Sequence, residues 1–182
     1  MKLVMKLVPI FAAAALVVGI AFAQKRPVAS PPETASVTIH GSTITVKYSA
    51  PSVRGRKIFG PGGLVMKDPT APIWRAGANS ATAFHTDADL DLDGLTVPKG
   101  DYTLYADVKD PDAWLLIVNK QTGQWGLTYN ANQDLGRVKM TMSTPPQPVE
   151  VLKYTLASEG GNKGSLQLAW DGHVASVPFT VK

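Results

Sequence analysis

The 182-residue chain carries 18 Lys and Arg against 14 Asp and Glu, and it contains no cysteine. That composition excludes disulfides, thiolate metal sites, a cysteine nucleophile and a lipid anchor on a mature N-terminal cysteine. Two of the basic residues, Lys2 and Lys6, stand at the extreme N-terminus, and without them 16 basic residues face 14 acidic ones, a balance that gives nucleic acid no electrostatic footprint.

Residues 1–23 read as a secretory signal. Lys2 and Lys6 precede an apolar run from Leu7 to Phe22, and Ala21-Phe22-Ala23 supplies small residues for cleavage before Gln24. The alternative, an uncleaved anchor, is disfavoured because the run falls short of the roughly 20 residues that span a bilayer. No later segment approaches spanning length, so the expected product is exported, to the periplasm or the medium, with no membrane span after cleavage. Residues 24–34 (QKRPVASPPET) form a Pro-rich flexible lead. Residues 35–182 have the size of one domain with its own core.

Val37 and Ile39, then Ile44, Val46 and Tyr48, alternate with polar neighbours about Gly41-Ser42, which predicts a hairpin with one buried face. A Gly/Pro-rich excursion follows from Tyr48 to Thr82. Phe84, Ala88, Leu90 and Leu92 resume the period of two, with His85 and the aspartates on the other face. Tyr102, Leu104, Ala106 and Val108 mark the next strand. Trp114 to Val118 is apolar at every position and predicts a strand covered on both faces. Asn119 to Gly126 is polar and glycine-punctuated, hence a surface loop. Val138–Met142, Val149–Leu156, Leu166–Trp170 and Ala175–Val181 complete about nine strands, with no 3.6-residue period among them. The pattern predicts an all-β fold, a single antiparallel β-sandwich, with a closed barrel as the alternative.

The excursion holds the candidate binding residues. Arg54, Arg56 and Lys57 sit on a Gly-containing loop, and Arg75 lies near Asn79 on its return. Together they offer forked, charge-assisted hydrogen bonds to a carboxylate or phosphate. The competing structural role is that Arg75 pins the loop to its own fold. His85 is the histidine with catalytic potential, as a general base oriented by Asp87 or Asp101, although neither a GxSxG elbow nor an SxxK motif accompanies it. His40 and His173 stand beside turn glycines and are expected to be exposed. Trp125, in a Gly-flanked polar loop, is the first candidate for an exposed stacking surface and Trp74 the second, whereas Trp114 and Trp170 read as core. Asp89, Asp91 and Asp93 match the first half of a calcium loop, but the twelfth position is Gly100 rather than a bidentate carboxylate. A solvated acidic face ending in an Asp-Gly turn is the better account, and no metal or other cofactor is implied.

Four blocks in order, YSAPSVRGRKIFG, WRAGANSAT, IVNKQTGQWG with YNANQDLGRVKM, and SLQLAWDGHVASVPF, resemble a family of exported bacterial proteins, the domain of unknown function 2911. The chain departs from that pattern at Ala50, where a basic residue is usual, at Ser80, where an acidic one is usual, and between Gly62 and Ile73. The resemblance implies an exported β-rich domain and names no substrate. The expectation is a non-catalytic binding domain for a small polar, anionic or carbohydrate ligand. The alternatives are an interaction or structural module docking an envelope protein, and a hydrolase using His85.

Overall fold

A computed structural model describes residues 28–182. The expected signal segment and residues 24–27 of the Pro-rich lead lie outside them. Among the described residues no helix is long and apolar enough to cross a membrane.

Two antiparallel sheets pack face to face. The first runs β1 (Pro32–Ile39), β2 (Ser42–Ser49), β4 (Thr82–Thr86), β7 (Gly100–Asp107), β8 (Leu115–Asn119) and β9 (Asp134–Lys139), and the short β3 (Ile73–Trp74) also pairs with β7. The second runs β11 (Val149–Gly160), β12 (Lys163–Asp171), β13 (His173–Val181), β5 (Leu90–Leu92) and β6 (Leu95–Val97), with β10 (Thr141–Ser143) also on β13. Neither sheet closes on itself, so the architecture is the sandwich and not the barrel.

The strands exceed the expected nine for two physical reasons. β3 and β6 have two and three residues, too short to leave a period in the sequence. The other reason is that two apparent single strands each divide between the sheets. The alternation from Phe84 to Leu92 breaks at residues 87–89, where the Thr86 hydroxyl donates to the Ala88 carbonyl at 2.7 Å. β4 then belongs to the first sheet and β5 to the second. The alternation from Val138 to Met142 divides likewise at Met140. Both sheets bury their facing sides in one core, so the inward parity survives the crossing although the strand does not. β1 begins at Pro32, so the last residues of the expected lead are already paired, Thr34 opposite Lys47.

The Tyr48–Thr82 excursion closes one end of the sandwich. It is tied to β11 by Val53 N–H to the Glu150 carbonyl at 2.8 Å and Leu152 N–H to the Pro51 carbonyl at 2.9 Å. Ile58, Phe59, Val65 and Trp74 then enter the core. Phe59 is the wedge of an aromatic cluster, with ring centroids 5.5 Å from Trp74, 4.7 Å from Trp114, 5.7 Å from Trp170 and 4.8 Å from His173. His173 is therefore half-buried rather than exposed, because the turn that carries it lies against this cluster; His40 is exposed as expected.

Candidate functional site

Cross-strand register decides which polar side chains meet on the outer face of the first sheet. Thr45 on β2 stands opposite His85 on β4, which stands opposite Asp101 on β7. One row along, Lys47 faces Ala83 and Ala83 faces Thr103. The methyl group of Ala83 leaves a dip between longer side chains. The result is an open cleft of about 410 Å³ lined by Thr45, Lys47, Ala83, His85, Asp101 and Thr122.

His85 is gripped at both ring nitrogens. Nδ1 lies 2.8 Å from Asp101 Oδ1, and Nε2 lies 2.9 Å from Asp87 Oδ1. Asp87 is itself anchored, since its Oδ2 accepts the Thr43 N–H at 3.0 Å. Two carboxylates favour the ring that donates from both nitrogens. They hold the imidazole above its ordinary pKa, Asp87 contributing first and Asp101 second. The Asp87 carboxyl is depressed in return, chiefly by His85 and then by the Thr43 N–H. A general base needs a free lone pair, and the doubly protonated form that the two carboxylates favour leaves none.

The cross-brace has a defined pH window. A raised histidine stabilises the fold fully below its unfolded value, near 6.5, and that contribution is lost as pH rises through the folded value. The depressed Asp87 contributes above about 3.8 and loses its share as pH falls. Replacing Asp101→Asn is expected to lower the His85 pKa, and Asp87→Asn to lower it further. NMR titration of the His85 ring proton checks both, and an unmoved midpoint in either variant would contradict the grip described.

The neighbouring loop, residues 120–133, is fastened along its length to the same face. The Thr103 hydroxyl donates to the Gln121 carbonyl at 2.7 Å, the Tyr105 hydroxyl donates to the Thr128 carbonyl at 3.0 Å, and Asn119 Nδ2 donates to the Asn130 carbonyl at 3.0 Å. At its base Arg137 Nη2 meets the Tyr129 hydroxyl at 2.8 Å and Asp134 Oδ2 at 3.1 Å, while the Tyr129 hydroxyl donates to that same Oδ2 at 2.6 Å. Burial first, and then the Asp134 carboxylate, push the Tyr129 phenol up to about 12. On this fixed loop Trp125 is 54% exposed.

The other expected site residues divide into two groups. Arg54 Nη2 donates to the Ala29 carbonyl at 3.1 Å, Arg56 donates to the Val53 and Ser52 carbonyls, and Lys57 Nζ donates to the Pro61 carbonyl at 2.7 Å. These cations clamp backbone carbonyls of their own chain and do not converge with Arg75. Arg75 pairs with Asp68 at 3.1 Å with both side chains mostly buried, the pinning role weighed above. Gly126, next to Trp125, does lie against the Arg75 stem and the Asn79 carbonyl. Gly126 N–H donates to the Asn79 carbonyl at 3.0 Å, and Ser80 forms an isolated antiparallel bridge with Trp125 between the two loops. Trp74 is core, 2% exposed, with its indole N–H on the Gly77 carbonyl at 3.1 Å, so it offers no stacking surface. In the WRAGAN turn Ala76 takes a left-handed φ of 51°, costly for a residue with a Cβ. Its carbonyl accepts both the Thr82 and Tyr154 hydroxyls, at 3.0 and 2.9 Å, which hold the turn in place.

Asp89 Oδ1 accepts the Lys99 N–H at 2.8 Å and Asp91 Oδ1 the Gly94 N–H at 2.7 Å. Their carboxylates are thus used in turns, and among the described residues no group of three or more His, Cys, Asp or Glu is placed to hold a metal ion. Lys47, Thr45 and Thr122 were not singled out by the sequence. The first two are only the outward half of a strand alternation, and no local signal says that a loop returns beside them.

The fold and this outer-face cleft define an all-β sandwich with an open, ligand-sized depression whose wall includes Thr122 of the loop that also carries the exposed Trp125. The family model described as protein of unknown function (DUF2911) matches residues 30–179, and the chain belongs to that family. No curated protein and no solved structure matches the chain.

Proposed function

We propose that the protein is an exported, non-catalytic binding domain whose site is the cleft at Lys47, His85 and Asp101, and whose ligand is a small polyhydroxylated molecule such as a sugar. The observation that carries this reading is an indole left 54% exposed on a loop that hydrogen bonds fasten to the sheet on several sides, with Thr122 of the same loop lining the cleft. A large aromatic held rigid in water costs solvation without any packing return, whereas against a sugar ring it becomes a stacking surface. The cleft mixes donors and acceptors, with the Lys47 ammonium and the Thr45 hydroxyl beside the Asp101 carboxylate, so it suits hydroxyl groups that both donate and accept better than a strongly anionic group. Export is supported by the signal-like character of residues 1–23.

Trp74, Trp114 and Trp170 are buried, so quenching by acrylamide reports on Trp125. A panel of mono- and oligosaccharides is expected to contain ligands that shield Trp125 from the quencher. Asp101→Asn and Lys47→Met should each weaken that shielding roughly tenfold, the loss of one charged hydrogen-bonding partner. If no saccharide protects Trp125, or if both variants bind as the parent does, the reading is wrong.

A further inference from the structure

β7 joins two unlike places. Its first residues border the outer-face cleft, and just beyond its last residue Val108 and Lys109 border a recess of about 330 Å³ at the closed end of the sandwich. The walls of the recess are Phe59, Val108, Trp114 and His173, with Met66 and Lys109 also lining it. Trp114 and His173 are stacked, with centroids 5.3 Å apart and planes 16° apart, and Phe59 meets both at a steeper angle. Met66 stands on the turn Val65–Lys67 and is 37% exposed, a large apolar side chain left in water at this spot. Burial holds the His173 imidazole below its ordinary pKa, against the pull of Asp171 and Asp112, neither of which lines the recess. Among the described residues lining it, Lys109 alone is charged at neutral pH.

We propose that this recess is a second binding site, for a small aromatic carboxylate whose ring packs between Met66, Phe59 and the half-buried His173 and whose carboxylate pairs with Lys109. The size fits, because an apolar cavity of about 150 Å³ accepts benzene and this one leaves room for a substituted ring. Aromatic walls meeting at steep angles favour another ring over an alkyl chain, through edge-to-face and offset contacts. The single cation at the rim sets the polarity of the ligand's free end. The site is independent of the outer-face cleft, which shares none of these side chains.

Benzoate, benzyl alcohol and hexanoate are suitable probes, read by NMR at the Met66 methyl and the Trp114 indole. Benzoate should give saturable shifts at both, with benzyl alcohol weaker and hexanoate weaker still. Lys109 and Met66 are exposed, so their variants are expected to fold, and the unchanged spectrum of the remaining residues verifies it. Lys109→Ala should weaken benzoate roughly threefold to fivefold, the worth of one solvent-exposed ion pair, and leave benzyl alcohol unaffected. Met66→Glu should abolish benzoate binding by placing a like charge at the mouth. Failure of all three probes to shift Met66 would overturn the site. Hexanoate binding as tightly as benzoate would overturn its aromatic selectivity, and an indifferent Lys109→Ala would overturn the carboxylate pairing.

Discussion

Replacing Phe59→Ala is expected to destabilise the protein by about 3–5 kcal/mol, the range for removing a buried aromatic side chain and leaving a cavity. The Phe59 ring touches all three buried indoles and His173, and these large planar groups cannot collapse into the space by small rotations. For a domain of this size, a melting temperature lower by about 6–20 °C follows. Phe59→Leu should cost about half as much, since it restores most of the apolar volume but not the edge contacts. Chemical denaturation of the two variants checks the order. Equal, small losses would mean that the excursion is draped over the core and not wedged into it.

Gly126→Ala is expected to cost about 1–3 kcal/mol, the usual range for forcing an extra group into a filled site, and to loosen the loop that carries Trp125. A Cβ at residue 126 would collide with the Arg75 side chain and would stand 2.6 Å from the Asn79 carbonyl oxygen. The arginine can swing aside, but only by disturbing its ion pair with Asp68. The carbonyl belongs to the backbone and already accepts the Gly126 N–H, so no rotamer change relieves that contact. Adding Arg75→Ala to Gly126→Ala should therefore recover only part of the loss. Faster hydrogen exchange at the amides of residues 81 and 126, both bonded across this junction, is the local readout. Unaltered exchange together with unaltered stability would show that the junction has slack.

The Gly126 junction illustrates what a local reading misses. Nothing within a few residues of Gly126 says that residues 75 and 79 close over it. The three cations of GRKIFG and its flank read as a ligand cradle because their composition is cationic and glycine-rich. Their partners are carbonyls at Ala29, Ser52, Val53 and Pro61, and a carbonyl has no sequence signature. The pairing of His85 with Asp87 or Asp101 was legible as a choice between two orienters. That both carboxylates engage the ring at once depends on the β4–β7 register and on the bend after Thr86.

By itself the sequence determined the inward and outward parity of nearly every strand, and with it the all-β class, because burial with a period of two is imposed residue by residue on an extended chain. Motif blocks separated along the chain were enough to place it in its family. Tertiary structure alone decided which sheet each half of an alternation joins, that Trp74 is core while Trp125 faces water, and that Lys47 shares a cleft with His85. Those outcomes depend on polar groups satisfied across long stretches of chain and on loops returning over a face, and neither is fixed by the neighbours of a residue in sequence.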